Sequence, residues 1–438
     1  MDARGITEDM LTEDAARSTM DALGDHTLGT RQGAGLLSPK TGRSPTMTAQ
    51  LGHPGLRDRP IYLDYNATTP IDPALVEAMA PYLTEEFGNP SSSHAYGAAA
   101  HAGLARARHQ VGRLIGAPDE TLVFTGSGSE ADALAIRGAV LAAMPRARPH
   151  IITQVTEHPA VLAACRELEE VHGIAVTYLP VDRDGRVEAA QVEAAIAPDT
   201  ILVSVMHANN ETGTIQPIAE IAAVTRAQRV LLHCDAAQSV GKIGVDVDSL
   251  GVDLLTVVGH KMYAPKGIGA LYVRPGVRIR PLVGGGGQEH GLRAGTENVA
   301  SVVGFGEAAT LAAHALGAGE RGRLIELRDL LERQLAELLP GRVHLNGHPT
   351  ERLPNTVNLR IESAPALGLL AAMPAVAVSA GSACHAGRDE PSEVLTSMGL
   401  APEDALCALR ISLGRWTTTT DIDEACAHIA AAARNVPG

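Results

Sequence analysis

Four short stretches of the chain bring together residue types and spacings that could do chemistry. The first is Phe124-Thr125-Gly126-Ser127-Gly128-Ser129-Glu130-Ala131, where an apolar strand runs into a Gly/Ser turn and then a helix. Free N–H groups and the helix dipole make such a turn a seat for phosphate. The stretch also fits G-x-G-x-x-A, the dinucleotide fingerprint. About 20 residues on, where that fingerprint wants an acid for the ribose, the chain has Arg146 and Arg148. The plain alternative is a strand–helix turn with a capping serine. The second stretch, Leu231 to Gln238, ends an apolar strand on Asp235. Site residues of open α/β sheets sit at such strand ends, although a lone aspartate there can also be a helix cap. His233, Cys234 and Asp235 are consecutive and so point to alternate faces, which argues against a metal cluster.

The third stretch is Gly259-His260-Lys261, just past the apolar run Leu254–Val258. The chain has only four lysines: Lys40, Lys242, Lys261 and Lys266. Lys40 lies in an N-terminal tail, and Lys242 and Lys266 read as solvated residues of Gly/Pro-rich turns. Lys261 instead ends the strand after the one that ends on Asp235 and faces the same crevice, where desolvation would make its amine nucleophilic. A lysine, a strand-end acid that can keep a ring nitrogen protonated and a phosphate turn are the parts a pyridoxal phosphate site needs. The fourth stretch, Ser379 to Gly387, sets Cys384 beside His385 among small residues, a context that suits a nucleophilic thiol. Cys165, Cys234, Cys407 and Cys426 read as core fillers.

The elements that must position these groups alternate along the chain. Strand-length apolar runs at Thr121–Phe124, His150–Thr153, Thr200–Val205, Val230–His233, Leu254–Val258 and Ile268–Val273 are interleaved with helical stretches at Ser91–Ile115, Glu130–Met144, Ala160–His172 and Ile218–Gln228. Alternation of this kind predicts a mainly parallel sheet covered by helices. A long helix over Gly319–Leu339 and short strands at Val343–Leu345 and Thr356–Leu359 predict a smaller α+β domain, with helices at Ser392–Met398 and Pro402–Leu406. The expected division is 1–59 as a disordered extension, with Met47 as a second candidate start, then 60–314 as the large domain and 315–438 as the small one. At 438 residues, 45% hydrophobic and a net charge of −14, the chain is globular in composition and a poor candidate for nucleic-acid binding. No uninterrupted apolar stretch reaches membrane-spanning length, so no membrane role is expected. Five scattered cysteines exclude a disulfide framework and fit a reducing, cytoplasmic setting.

From Ile61 onward the sequence resembles the class V aminotransferase-fold cysteine desulfurases and, within them, the selenocysteine lyases. The resemblance rests on ordered motifs: Asp64-Tyr65-Asn66-Ala67-Thr68-Thr69-Pro70, Thr156-Glu157-His158, Ala208-Asn209-Asn210-Glu211-Thr212-Gly213, Asp235-Ala236-Ala237-Gln238, Gly259-His260-Lys261, Arg293-Ala294-Gly295-Thr296-Glu297-Asn298, Gly381-Ser382-Ala383-Cys384 and Leu409-Arg410-Ile411-Ser412. It implies an aspartate aminotransferase-type fold, with a mixed, mostly parallel α/β domain and a small α+β domain. It also implies that Lys261 links covalently to pyridoxal 5′-phosphate, Asp235 pairs with the ring nitrogen, and Gln238 and Asn210 contact the phenolic side. His158 would stack on the ring and move protons. Gly128, Ser129 and His260 would hold the phosphate, with the backbone of Val258 and with Thr296 from the second subunit of a homodimer. Arg410 and Asn210 would bind substrate, and Cys384 would attack its sulfur or selenium.

Two departures from the family pattern stand out. Val258 replaces a common phosphate-binding serine, as in the selenocysteine lyase branch, and the Cys384 loop is long and polar enough to swing. The implied reaction takes L-cysteine to L-alanine with a persulfide on Cys384, which an acceptor protein or a reductant then discharges. The same residues could serve a selenocysteine lyase acting on L-selenocysteine. An inactive sulfur-assembly scaffold is the alternative of another class, opposed by the intact set Lys261, Asp235, His158, Cys384 and Arg410.

Overall fold

A computed structural model describes residues 52–144, 149–381 and 390–436. Met47, Arg146, Arg148 and Cys384 with its neighbours Ser382 to Asp389 lie outside the described residues. At the start of the described chain His53 Nε2 lies 2.9 Å from the Ile71 carbonyl, and its ring lies 4.7 Å from that of Trp416.

The principal sheet has seven strands: β2 (Leu122–Thr125), β3 (His150–Gln154), β4 (Ala175–Leu179), β5 (Thr200–Ser204), β6 (Leu231–Asp235), β7 (Leu254–Val258) and β8 (Gly269–Val273). β1 (Ile61–Tyr62) lies outside it, parallel to β11 (Val376–Ala377). The spatial order is β2-β8-β7-β6-β5-β3-β4. β8 runs antiparallel to both its neighbours, and every other pairing is parallel. The expected α/β architecture with a mostly parallel mixed sheet is therefore present. β5, β7 and β8 are buried at every position, so their continuous Val/Leu/Ile runs follow from helices on both faces of the sheet. A separate antiparallel sheet, β12 (Ala408–Ser412)–β10 (Thr356–Ile361)–β9 (Val343–Asn346), packs with the helices Glu320–Leu338 and Thr419–Asn435 around a second apolar core that also takes in Leu63.

This topology brings the site together. β3, β5, β6 and β7 are neighbours whose C-terminal ends lie along one sheet edge, the place where open parallel sheets bind ligands. Local chemistry sets the turns that follow them. Ser127 caps the Gly128–Ala143 helix by accepting from Glu130 N at 3.1 Å. His158 caps the Pro159–His172 helix through Nδ1, with Pro159 in the first turn, where no N–H is needed. One described helix, Val299–Gly317, is long and apolar enough to cross a membrane by length and composition. The sequence reading found no uninterrupted stretch of that length, and Glu307 does interrupt this one. The helix packs on Pro73–Thr84 and Ala95–Ile115, and Glu307 accepts from Gln110 at 2.9 Å.

Candidate active site

Beyond the ends of β6 and β7 lies a cavity of about 270 Å³, lined by Gly128, Ser129, His158, Asn210, Asp235, Gln238, Val258, His260, Lys261 and Arg410. Sequence reasoning had singled out each of these residues, and the fold gathers them from six separate stretches. Thr296 lies apart, exposed to solvent on the segment before the Val299–Gly317 helix.

Lys261 follows β7 in a short 3-10 turn, and its Nζ donates to the carbonyls of Asn66 at 2.6 Å and Ala67 at 2.8 Å. Asp235 ends β6, buried, with Oδ1 accepting from Ala237 N at 2.8 Å. It thus closes its own turn, as a cap would, while also lining the cavity. Burial pushes its carboxyl up, and His158, the Ala237 N–H and Lys261 pull it back. His158 shifts the other way: burial holds it below the usual histidine range, opposed by Asp235 and reinforced by Lys261. Because Nδ1 accepts from Ala160 N, the proton of the neutral ring sits on Nε2. His260 is lowered to about 4 by burial and by Lys261, so it is neutral near pH 7, with Nδ1 3.1 Å from Thr68 Oγ1.

Arg410, on β12, is 1% exposed. Its Nη2 pairs with Asp64 at 2.7 Å, its Nη1 donates to Asn210 O at 3.3 Å, and its buried Nε has no partner among the described residues. Its backbone pairs with Ser379, whose carbonyl accepts from Arg410 N at 2.7 Å. The strand that aims the guanidinium therefore also anchors the approach to Gly381. A second cavity, of about 470 Å³, opens alongside and shares Asn210 and Pro159 with the first. Gly381 and Glu390, which flank the Cys384 segment, line it.

Residues 61–425 match the family "Aminotransferase class-V". The chain belongs to that family. It is 46% identical over 367 residues to "Cysteine desulfurase IscS" of Anaeromyxobacter sp. (strain Fw109-5), covering 83% of this chain and 90% of that protein. Against "Cysteine desulfurase" of Mus musculus it is 44% identical over 376 residues, covering 84% and 81%. Among solved structures, "NIFS-LIKE PROTEIN" superposes with a TM-score of 0.79 at 34% identity, covering 85% of this chain and 98% of that one. "SspA in complex with cysteine" gives 0.71 at 36% identity, covering 82% and 99%. The protein is thus a pyridoxal phosphate-dependent enzyme of the cysteine desulfurase type.

The residues present fit that cofactor. A Cβ on Gly128 would lie 2.4 Å from Val258 Cγ2, so the phosphate turn passes so close to the end of β7 that only glycine fits. Beneath Asp235 a row of buried polar groups crosses the sheet, with His233 Nδ1 2.9 Å from Ser204 Oγ and Nε2 3.1 Å from Thr256 Oγ1. Asp132 lies 3.7 Å from His233 and lines the cavity.

Sequence reasoning missed three residues around the site. Asp132 sits one turn inside the helix that the phosphate motif starts, so its spacing from Ser129 was the available signal. Asn66 lay inside a quoted motif without a role. Lys242 is a correction: it is buried, not solvated, with its amine 2.7 Å from Gln238 Oε1. The flanking Gly241 and Gly244 read as an exposed turn, but Val240, Ile243 and Val245 are core residues and carry Lys242 inward with them.

Proposed function

We propose that the protein removes sulfur from L-cysteine, yielding L-alanine and a persulfide on Cys384. The observation that carries this reading is the meeting of Lys261, Asp235, His158 and Arg410 in one cavity, with the flanks of the Cys384 segment on the adjoining one. Bound pyridoxal phosphate supplies a sink for the electron pair left when the Cα proton departs. Lys261 would hold it by its aldehyde carbon until the substrate amine takes that place and frees the lysine, Asp235 by its ring nitrogen, and Gln238 and Asn210 by its phenolic side. Gly128, Ser129, His260 and the Val258 backbone cradle its phosphate. Arg410, already held by Asp64 and Asn210, lines the cavity and would bind the substrate carboxylate. Lys261 Nζ takes the Cα proton, and His158 Nε2 carries protons between substrate and solvent. The Cys384 thiolate would attack the substrate sulfur, so that an S–S bond forms as the C–S bond breaks, and a proton at Cβ with the return of the Cα proton from Lys261 completes alanine.

The working unit in this reading is a homodimer in which Thr296 of the partner subunit reaches the phosphate. Residues 60–314 form the cofactor-binding part and 315–438 the part carrying the thiol loop. An acceptor protein takes the persulfide sulfur in a reducing, cytoplasmic setting. Among the described residues Cys165, Cys234, Cys407 and Cys426 are all unpaired.

Alanine formation from cysteine and from selenocysteine tests the reading. The purified protein is expected to be yellow, Lys261→Ala to lose both colour and turnover, and Cys384→Ala to keep its cofactor while losing cysteine turnover. Selenium leaves more readily than sulfur, so residual selenium release by Cys384→Ala marks a desulfurase that tolerates selenocysteine. Loss of selenium discrimination marks a dedicated lyase. Undiminished cysteine turnover by Cys384→Ala would sink the reading.

A further inference from the structure

Seven residues beyond Asp235 the chain buries a second lysine beside the first. Lys242 is 9% exposed, and its Nζ donates to Gln238 Oε1 at 2.7 Å and to Asn66 Oδ1 at 3.3 Å. Among the described residues no carboxylate pairs with it. The charged groups that act on it are Lys261 and Arg410, both cations, and together with burial they hold its ammonium well below the usual lysine range. An amine in such a place is costly, and what it obtains is two amide oxygens.

Those two oxygens decide how the neighbouring amides are turned. The Lys242 amine donates to both, so Gln238 presents Oε1 to it. Gln238 Nε2 is then fixed on the other side, where one proton goes to Asn66 O at 3.1 Å and the second is left for the cavity that Gln238 lines. Asn66 is fixed in the same way. Its Oδ1 accepts from Lys242 and Asn355, while its Nδ2 donates to Thr356 Oγ1 at 2.8 Å and to Asn210 O at 3.2 Å. The carbonyl of this same Asn66 accepts from Lys261. With Lys242 absent, the Asn66 carbonyl alone would hold the Gln238 amide in this sense, and the barrier to turning an acceptor toward the ring would fall.

We infer that Lys242 is a positioning residue that locks Gln238 as a hydrogen-bond donor toward the phenolic oxygen of the cofactor bound at Lys261. The inference rests on the cofactor placement proposed above. A donor at that oxygen stabilises its anionic form and so lowers the proton affinity of the nitrogen that joins Lys261 to the cofactor. An amide oxygen there would raise it.

The test is a pH titration of the visible absorption of the cofactor-loaded protein, comparing wild type, Lys242→Met, Lys242→Gln, Gln238→Leu and the double variant Lys242→Met/Gln238→Leu. The other charged groups around the joining nitrogen are Asp235, Asp132, His158, His260, Lys266 and Arg410. All are kept in every protein, so differences between variants report Lys242 and Gln238. Lys242→Met is expected to raise the midpoint by about one pH unit, a tenfold change in proton affinity. Lys242→Gln still donates one N–H and should move it less. If Lys242 acts through Gln238, the Lys242→Met shift disappears in the Gln238→Leu background. Should Lys242→Met fail to fold, Lys242→Gln in both backgrounds gives the same comparison. An unchanged midpoint in the lysine variants overturns the inference. So does a shift that persists undiminished without Gln238, because Lys242 would then act as a charge alone. Wild type that takes up no cofactor would instead overturn the proposed function and be seen before any variant is compared.

Discussion

Gly128 and Val258 face each other where the phosphate turn passes the end of β7, and the geometry leaves room for one side chain, not two. A methyl group on residue 128 would lie 2.4 Å from Val258 Cγ2. Overpacking of this kind costs roughly 1–3 kcal/mol, and here the strain falls on the turn that holds the phosphate. Gly128→Ala is therefore expected to weaken cofactor binding about tenfold or more. Gly128→Ala/Val258→Ala, which removes Cγ2, should recover most of the loss. Equilibrium binding of pyridoxal phosphate checks both, and a single variant that binds like wild type would show that the turn can withdraw from β7 at no cost. At this scale the sequence was most readable where a residue type is rare or chemically committed. Lys261 was one of four lysines and Asp235 an acid closing an apolar strand, whereas Arg410 was reached only through the family resemblance. Lys242 and Asn66 were opaque because their role lies in which amide oxygen they face. That depends on contacts between residues 66, 238, 242 and 355, which no local pattern encodes.

Elements were legible wherever burial on one side or both left a period to read. Leu254–Val258 and Ile218–Gln228 have the bounds that their apolar runs predict, and most other strand and helix ends fall within one or two residues of expectation. The Val299–Gly317 helix went unread because it carries glycine, alanine and valine on every side and shows no period. Its glycines explain how it packs. A Cβ on Gly306 would lie 2.6 Å from Ala107 Cα, and one on Gly304 would lie 2.6 Å from Met79 Sδ. Intrinsic propensity favours alanine over glycine in a helix by about 1 kcal/mol. At Gly306 the obstacle is the backbone of the facing helix, which cannot rotate away as a side chain can, so an overpacking cost of about 1–3 kcal/mol should win. Gly306→Ala is thus expected to melt a few degrees below wild type. A higher melting temperature would mean that the two helices separate freely and that propensity dominates.

On the scale of the whole molecule, the sheet that carries the site is held together across its strand ends by buried acids, and their protonation couples folding to pH. Glu157 follows β3 and reaches across to the end of β5. Its Oε1 accepts from Met206 N at 2.6 Å and from Gln154 Nε2 at 3.0 Å, while Oε2 is buried without a partner among the described residues. Burial, with a further push from Asp235, raises its carboxyl to about 8, against the pull of the Met206 and Gln154 donors. In the unfolded chain the same group titrates near 4.5. An acid raised on folding keeps its proton in the native state after the unfolded state has released it. Its stabilising contribution is therefore whole below pH 4.5 and is lost as the pH rises toward 8. His207 and His233, lowered by burial to about 4 and about 3, act in the opposite sense, losing stability as the pH falls below 6.5. They are common to wild type and to a Glu157 variant and cancel in the difference. Glu157→Gln keeps an oxygen for the two donors and replaces the protonated Oε2 with a neutral amide that never ionises. The melting temperature of Glu157→Gln minus that of wild type, both saturated with cofactor, should rise steadily from pH 4.5 and level off above about pH 8. A difference that stays flat across that range would show that Glu157 is ionised in the folded protein, with water or a cation reaching Oε2.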